Sequence, residues 1–194
     1  MSNFNERKLL LNEQLKLFSL SLNDLGLSGI WAIYFVKRGY KNTSEPMAMT
    51  CNTISIVSVL SCGISTAILI TEPFYLPSMI LGTIGLLGTL FTVLICVLHE
   101  NMIRQLFVPE LFIKFIVQHY FYLRLPVIIF SLSIHCIAGQ IILYTWNTNK
   151  ILGIISTSLS IIGCIGINYL REKYRSILRN EIKIFNEELC IIEV

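Results

Sequence analysis

One ionisable side chain, His135, lies inside a long apolar run, the segment from Leu125 to Trp146. Ionisable groups are costly inside a bilayer and usually face protein or water there, so His135 is a candidate gate, proton site or ligand contact. A neutral imidazole hydrogen-bonded to a serine or threonine of a neighbouring helix is the alternative interpretation. The other pore or gating candidates are polar residues of the apolar runs: Ser131, Gln140 and Asn168.

Sequence motifs of enzymes are absent from the chain. His99 and Glu100 have no second histidine at metalloprotease spacing. Neither the GxSxG motif of hydrolases nor a phosphate-binding glycine loop occurs. Four potential metal ligands have a spacing that is not specific, and solvent or headgroup contact is their simpler interpretation: His99, Glu100, Glu110 and His119. We therefore expect no enzymatic activity, no cofactor and no bound metal.

The composition places the chain outside the range of soluble proteins. Of its 194 residues, 54% are hydrophobic and 14% are charged, whereas a soluble domain has about 25% charged residues. Four apolar runs have the length of about 20 residues at which a helix crosses a bilayer. These runs are 52–71, 76–98, 125–146 and 151–170. The sequence predicts an all-α integral membrane protein with four transmembrane helices.

The four runs divide the chain into three regions. Residues 1–50 are expected to form an N-terminal cytosolic or interfacial amphipathic helix, because apolar residues recur at helical spacing from Leu11 to Leu25. Residues 51–170 form the four-helix transmembrane domain, with a cytoplasmic-side loop over 99–124. Residues 171–194 form a cytosolic, amphipathic helical tail.

The N-terminal region allows a second interpretation. A fifth span from Leu15 to Val36 has sufficient length, but it would bury Asn23 and Asp24 in or near lipid. The charge alone would cost roughly 3 kcal/mol on insertion scales. We therefore favour an interfacial segment.

The distribution of basic residues predicts the orientation. Fourteen of the fifteen lysines and arginines lie in the N-terminal region, the central loop or the tail, and only Lys150 lies in a turn on the other side. The positive-inside rule then places both termini and the central loop in the cytoplasm, in a plasma membrane or a bacterial inner membrane. The net charge of +3 is too small to suggest nucleic-acid binding. The candidates for contact with anionic lipid are Arg104, Lys114, Arg124, Lys37 and Arg38.

Small and polar residues form stripes at helical spacing on three of the runs. Such stripes allow close helix contact, either within one bundle or between copies of the chain; the alternative is that one of them lines an aqueous path. The stripes consist of Ser55, Ser58, Cys62 and Ser65; of Gly82, Gly85, Thr89 and Thr92; and of Gly153, Thr157, Ser160, Cys164 and Asn168.

The tail carries an apolar seam with the same spacing as the N-terminal helix. We expect the two seams to support an oligomer by coiled-coil-like pairing, with packing inside one chain and binding to the membrane surface as the alternatives. The oligomerisation candidates are Leu178, Ile182, Phe185, Leu189, Ile192, Leu11, Leu15 and Phe18.

Taken together, these features favour a multi-pass membrane protein that self-associates into a homo-oligomeric ion channel or membrane-permeabilising pore. The alternative is a non-catalytic accessory or scaffold subunit of a larger membrane complex.

Overall fold

The computed structural model of the chain describes residues 4–71 and 75–190, and every regular element in these ranges is an α-helix. The all-α prediction is therefore confirmed. The helices are α1 (Phe4–Leu17), α2 (Leu22–Leu25), α3 (Leu27–Arg38), α4 (Lys41–Thr71), α5 (Leu76–Gln105), α6 (Pro109–Gln118), α7 (Tyr120–Thr148) and α8 (Lys150–Cys190).

Four of these helices are long and apolar enough to cross a membrane, namely α4, α5, α7 and α8. They correspond to the four predicted runs, but each extends beyond its run. α4 includes residues 43–49, which the sequence pattern suggested to be a polar connector, and Pro46 is accommodated in its second turn. α5 continues to Gln105, so much of the predicted loop 99–124 is helical.

The chain forms two compact units. Unit 1 comprises residues 1–50, 99–124 and 171–194, and unit 2 comprises residues 51–98 and 125–170. Both units are assembled from segments that are distant in sequence.

Unit 1 has an apolar core in which α1, α3 and α6 pack on one another. The ring of Phe112 lies at its centre, 5.8 Å from the ring of Phe35 and 5.0 Å from the ring of Tyr40. The tail contributes Ile182 and Phe185, which are both buried. Burial of such side chains stabilises a fold by about 1.5 to 3 kcal/mol each.

The N-terminal region of unit 1 is broken between α1 and α3. Ser19, with a φ of 53°, follows the end of α1, and Gly26, with a φ of 50°, separates α2 from α3. The backbone N–H and the hydroxyl of Ser21 lie 2.7 and 2.6 Å from a carboxylate oxygen of Asp24, and these bonds lower the pKa of Asp24. The continuous span from Leu15 to Val36 is therefore not formed, because the chain turns at residues 18–21.

Unit 2 has the opposite distribution of side chains. Its buried side chains are mostly serines, threonines and Gln140, and among its described residues the larger buried apolar side chains are limited to Cys96, Pro126 and Ile137. Many of its leucines and isoleucines are exposed, for example Leu60 at 64% and Leu159 at 63%. An exposed apolar surface around a small, polar interior is typical of helices that pack together in lipid.

Candidate functional site

A polar contact joins α4, α5 and α7 in the interior of unit 2. The hydroxyl of Ser65 lies 2.7 Å from Oε1 of Gln140 and 3.0 Å from the carbonyl oxygen of Gly82. Nε2 of Gln140 donates to the carbonyl oxygen of Ser65 over 3.2 Å. Gln140 is fully buried, so this gating candidate already has hydrogen-bond partners within the chain.

Glycines on α5 allow the close approach of α7. A Cβ atom at Gly85 would lie 2.6 Å from the side chain of Ile137, and one at Gly88 would overlap the hydroxyl of Ser133. The stripes on α4 and α5 thus serve, at their buried positions, for packing within one chain. Ser58 on α4 is fully buried, and its hydroxyl has no hydrogen-bond partner within the described residues.

α7 and α8 are consecutive helices separated by Asn149, and they contact each other near this connection. Nε1 of Trp146 donates to Oγ1 of Thr157 over 3.0 Å, and the hydroxyls of Thr145 and Ser156 lie 2.6 Å apart. Gly153 lies against the ring of Trp146, where a Cβ atom would be 2.6 Å from a ring carbon. These contacts fix the two helices against each other beside their connection.

His135 has its own helix as its hydrogen-bond partner. Its Nδ1 lies 2.6 Å from the carbonyl oxygen of Ser131. Because a carbonyl can only accept, Nδ1 carries the hydrogen and Nε2 is the acceptor of the neutral ring. His135 and Ser131 are exposed, and no bond to Nε2 is formed within the described residues. The proposed bond from His135 to a serine or threonine of another helix is absent from this part of the chain.

Asn168 is also exposed and has no hydrogen-bond partner among the described residues. Every residue of α8 from Ile161 to Leu170 is exposed, and a Cβ atom added at Gly163 or Gly166 would meet no atom within 4 Å. The stripe on α8 is therefore covered only at its start, near Gly153.

The lipid-contact candidates are largely engaged within unit 1. Two form ion pairs, two lie over a tyrosine ring, and Lys114 is exposed without such a partner in the described chain. The pairs are Arg104 with Glu100 at 2.7 Å, Lys37 with Glu181 at 2.8 Å, Arg38 over Tyr34 at 5.1 Å, and Arg124 over Tyr120 at 5.4 Å. Lys114 is thus the candidate that is freest to contact an anionic surface.

The oligomerisation candidates are also covered in the single chain where the structure describes them. Leu11, Leu15, Ile182 and Phe185 are buried in unit 1, and Phe18 and Leu178 are half-buried. The side chain of Leu189 and all of Ile192 lie outside the described residues. This arrangement favours the alternative of packing within one chain for these seams.

The potential metal ligands of the central segment do not form a site. Within the described residues, no group of three or more His, Cys, Asp and Glu side chains could hold a metal ion. Glu100 pairs with Arg104, and the ring of His119 lies 5.4 Å from the ring of Phe115.

The fold and the candidate site define an all-α chain with four helices of membrane-spanning length, and the candidates Ser131, His135 and Asn168 are exposed on two of these helices. No protein family, no curated protein and no solved structure matches this chain.

Proposed function

We propose that the protein is a multi-pass membrane protein whose copies associate into an ion channel or membrane-permeabilising pore. The observation that supports this proposal best is the exposure of His135, Ser131 and Asn168 within the apolar runs of α7 and α8. Polar groups at membrane depth are unfavourable against lipid and are found facing protein or water. An assembly of several copies would provide both a protein surface and a water-filled path for these polar groups to face.

His135 and Asn168 lie equally far along their helices from the contact between Trp146 and Thr157. His135 precedes Trp146 by eleven residues, and Asn168 follows Thr157 by eleven residues. Eleven residues of an α-helix rise about 16 Å. Their distance from this contact is therefore equal, so the two residues would contribute to one polar level of the assembly.

The orientation of the chain in the membrane is part of the same proposal. The single basic residue in the Lys150 turn, against fourteen elsewhere, supports both termini in the cytoplasm of a plasma or bacterial inner membrane.

Ion flux into liposomes tests the proposal. The protein, purified in detergent and reconstituted, should release a trapped ion, and His135→Ala should change the rate or its pH dependence. Leu60→Ala is the matched control, because Leu60 is an exposed apolar residue on α4, away from the helix of His135, and its truncation should leave the flux unchanged. Reconstituted oligomers that conduct no ion would contradict the proposal.

The exposure of α8 on all sides from Ile161 to Leu170 supports a second candidate function, an accessory or scaffold subunit. In that role α8 would pack against a span of a different protein. Purification from the native membrane with one partner at fixed stoichiometry, and without flux from the isolated protein, would favour this function.

A further inference from the structure

We propose that residues 106–111, at the N-terminal end of α6, form a membrane-surface anchor. In this anchor Phe107, Val108 and Leu111 insert between the headgroups of a phospholipid bilayer. The partner is the surface of the same bilayer that the long helices cross. The inference rests on the proposed membrane insertion, but it depends neither on self-association nor on ion flux.

The three anchor side chains are apolar, and the rest of unit 1 does not cover them. Phe107 is 77% exposed, which is the largest value for a bulky apolar side chain among the described residues of this unit. Val108 and Leu111 are exposed as well. Exposed apolar side chains that lie together indicate a surface that contacts another apolar phase.

The opposite side of α6 is fixed in the core of unit 1. Phe112, Ile113 and Ile116 are fully buried there. A rotation of α6 that covered Leu111 would bring these side chains into the solvent, where each would lose its apolar burial. The fold of unit 1 therefore keeps the anchor open to its surroundings.

The local structure of the anchor also agrees with a lipid contact. Pro109 is the first residue of α6, and Val108 before it is extended, with a φ of −94° and a ψ of 124°. Val108 occupies the N-cap position, where helices in water favour Ser, Thr, Asp or Asn, whose side chains bond to the free N–H groups. Val108 offers no such bond. An apolar, exposed N-cap is more favourable at a lipid surface than in water.

The lengths of the flanking helices place the anchor at the level of the headgroups. α5 has 30 residues and α7 has 29, so each is about 45 Å long at a rise of about 1.5 Å per residue. A bilayer with its headgroup regions is about 40 to 45 Å thick. An α5 that begins at one surface therefore ends at the other, and α7 begins at that second surface. Residues 106–119 join these two helix ends, so they lie along the membrane.

The polar side chains of α6 are compatible with this position. Glu110, Lys114 and Gln118 are exposed on the helix. At the headgroup level such side chains keep their contact with water, and a lysine can extend its charged end towards lipid phosphates. Insertion of the anchor therefore buries no charge in the hydrocarbon core.

Fluorescence quenching by lipids tests the anchor in the full chain reconstituted into liposomes. Trp31 and Trp146 are replaced by phenylalanine, and Phe107→Trp supplies the single tryptophan. Phosphatidylcholine that is brominated in its acyl chains quenches a tryptophan only when the ring enters the bilayer. We expect Phe107→Trp to lose most of its emission in these liposomes.

Leu9→Trp, in the same background, is the matched control. Leu9 is 62% exposed on α1 of the same unit, but it shares its helix face with the exposed Glu6 and Glu13. Its substitution should therefore report water and show little quenching. Equal quenching of Leu9→Trp and Phe107→Trp would overturn the inference, because residues 106–111 would then not be distinct from the rest of unit 1.

Ile64→Trp reports membrane insertion separately, because Ile64 is exposed within the apolar run of α4. Quenching of Ile64→Trp without quenching of Phe107→Trp would overturn the anchor and leave the membrane insertion of the chain in place. Absence of quenching in Ile64→Trp would reject membrane insertion, and the anchor with it. Quenching of both without ion flux would sustain this inference and reject only the proposed channel.

Val108→Asp, added to the Phe107→Trp chain, separates insertion from folding. Aspartate is a favourable N-cap, so the helix content measured by circular dichroism should be retained. A charge at this position opposes insertion into lipid, so the quenching should be lost. Quenching that is unchanged in this variant would contradict the insertion of this end of α6.

Discussion

The buried contact between Ser65 and Gln140 gives a stringent test of the interior of unit 2. Ser65→Ala removes the hydroxyl that lies 2.7 Å from Oε1 of Gln140. An interhelical hydrogen bond in lipid contributes about 0.6 to 2 kcal/mol, and the buried Oε1 that loses its partner adds a desolvation cost. We expect Ser65→Ala to lower the free energy of unfolding by about 1 to 3 kcal/mol.

A double-mutant cycle separates the bond from its desolvation cost. Gln140→Leu should cost about 1 kcal/mol, since the hydroxyl of Ser65 still has the carbonyl oxygen of Gly82 at 3.0 Å. The double variant leaves no unpaired amide oxygen, so it should be about as stable as Gln140→Leu alone. The expected coupling is therefore as large as the effect of Ser65→Ala alone, about 1 to 3 kcal/mol.

Reversible unfolding in mixed detergent micelles, followed by circular dichroism, measures these free energies. Ser61→Ala is the matched control, because Ser61 is buried on the same helix but its hydroxyl donates only to the carbonyl oxygen of Val57. Its effect should stay within about 0.5 kcal/mol. Additive effects of the two substitutions, or an equal loss in the control, would refute the reasoning.

Three further predictions concern unit 1. Gly26→Ala should destabilise unit 1 by about 1 to 3 kcal/mol in thermal unfolding, because φ is 50° and the new Cβ would overlap the guanidinium group of Arg124. The control Gly63→Ala places its Cβ in open space and should be neutral. Lys37→Ala and Glu181→Ala should each cost less than about 1 kcal/mol for this partly exposed pair, and exchanging the two charges should restore most of the loss. Since hydrogen bonds lower the pKa of Asp24, its carboxylate stabilises the fold at pH values above the ordinary carboxyl pKa. This stabilisation is lost as the pH falls through the pKa that Asp24 has in the folded state. The difference in stability between the wild type and Asp24→Asn should therefore vanish in strong acid.

Much of the fold could be predicted from local features of the sequence. The four helices of membrane-spanning length follow from run length and composition, and the break before Gly26 agrees with the polar residues around Asp24. The helical state of residues 43–49 and 99–105 was missed, because a helix can continue beyond the apolar run once its backbone hydrogen bonds are in place. Polar composition alone does not end a helix.

The candidate site was only partly predictable. Gln140 and His135 are two polar residues of one helix, five positions apart, and the sequence pattern made both of them gating candidates. In the structure Gln140 is buried against Ser65, whereas His135 is exposed. Neither the contact between α7 and α8 nor the burial of Phe185 could be derived from spacing, because both depend on residues distant in the chain.

The sequence by itself determined the four apolar runs of spanning length and the face of each run on which polar residues fall, because backbone geometry and side-chain transfer energies act locally. The tertiary structure alone decided which of those faces are covered. It buries the stripes of α4 and α5 against neighbouring helices and leaves Asn168 on α8 open. Periodicity places a residue on one side of its helix, but only the arrangement of the other helices decides what lies opposite that side.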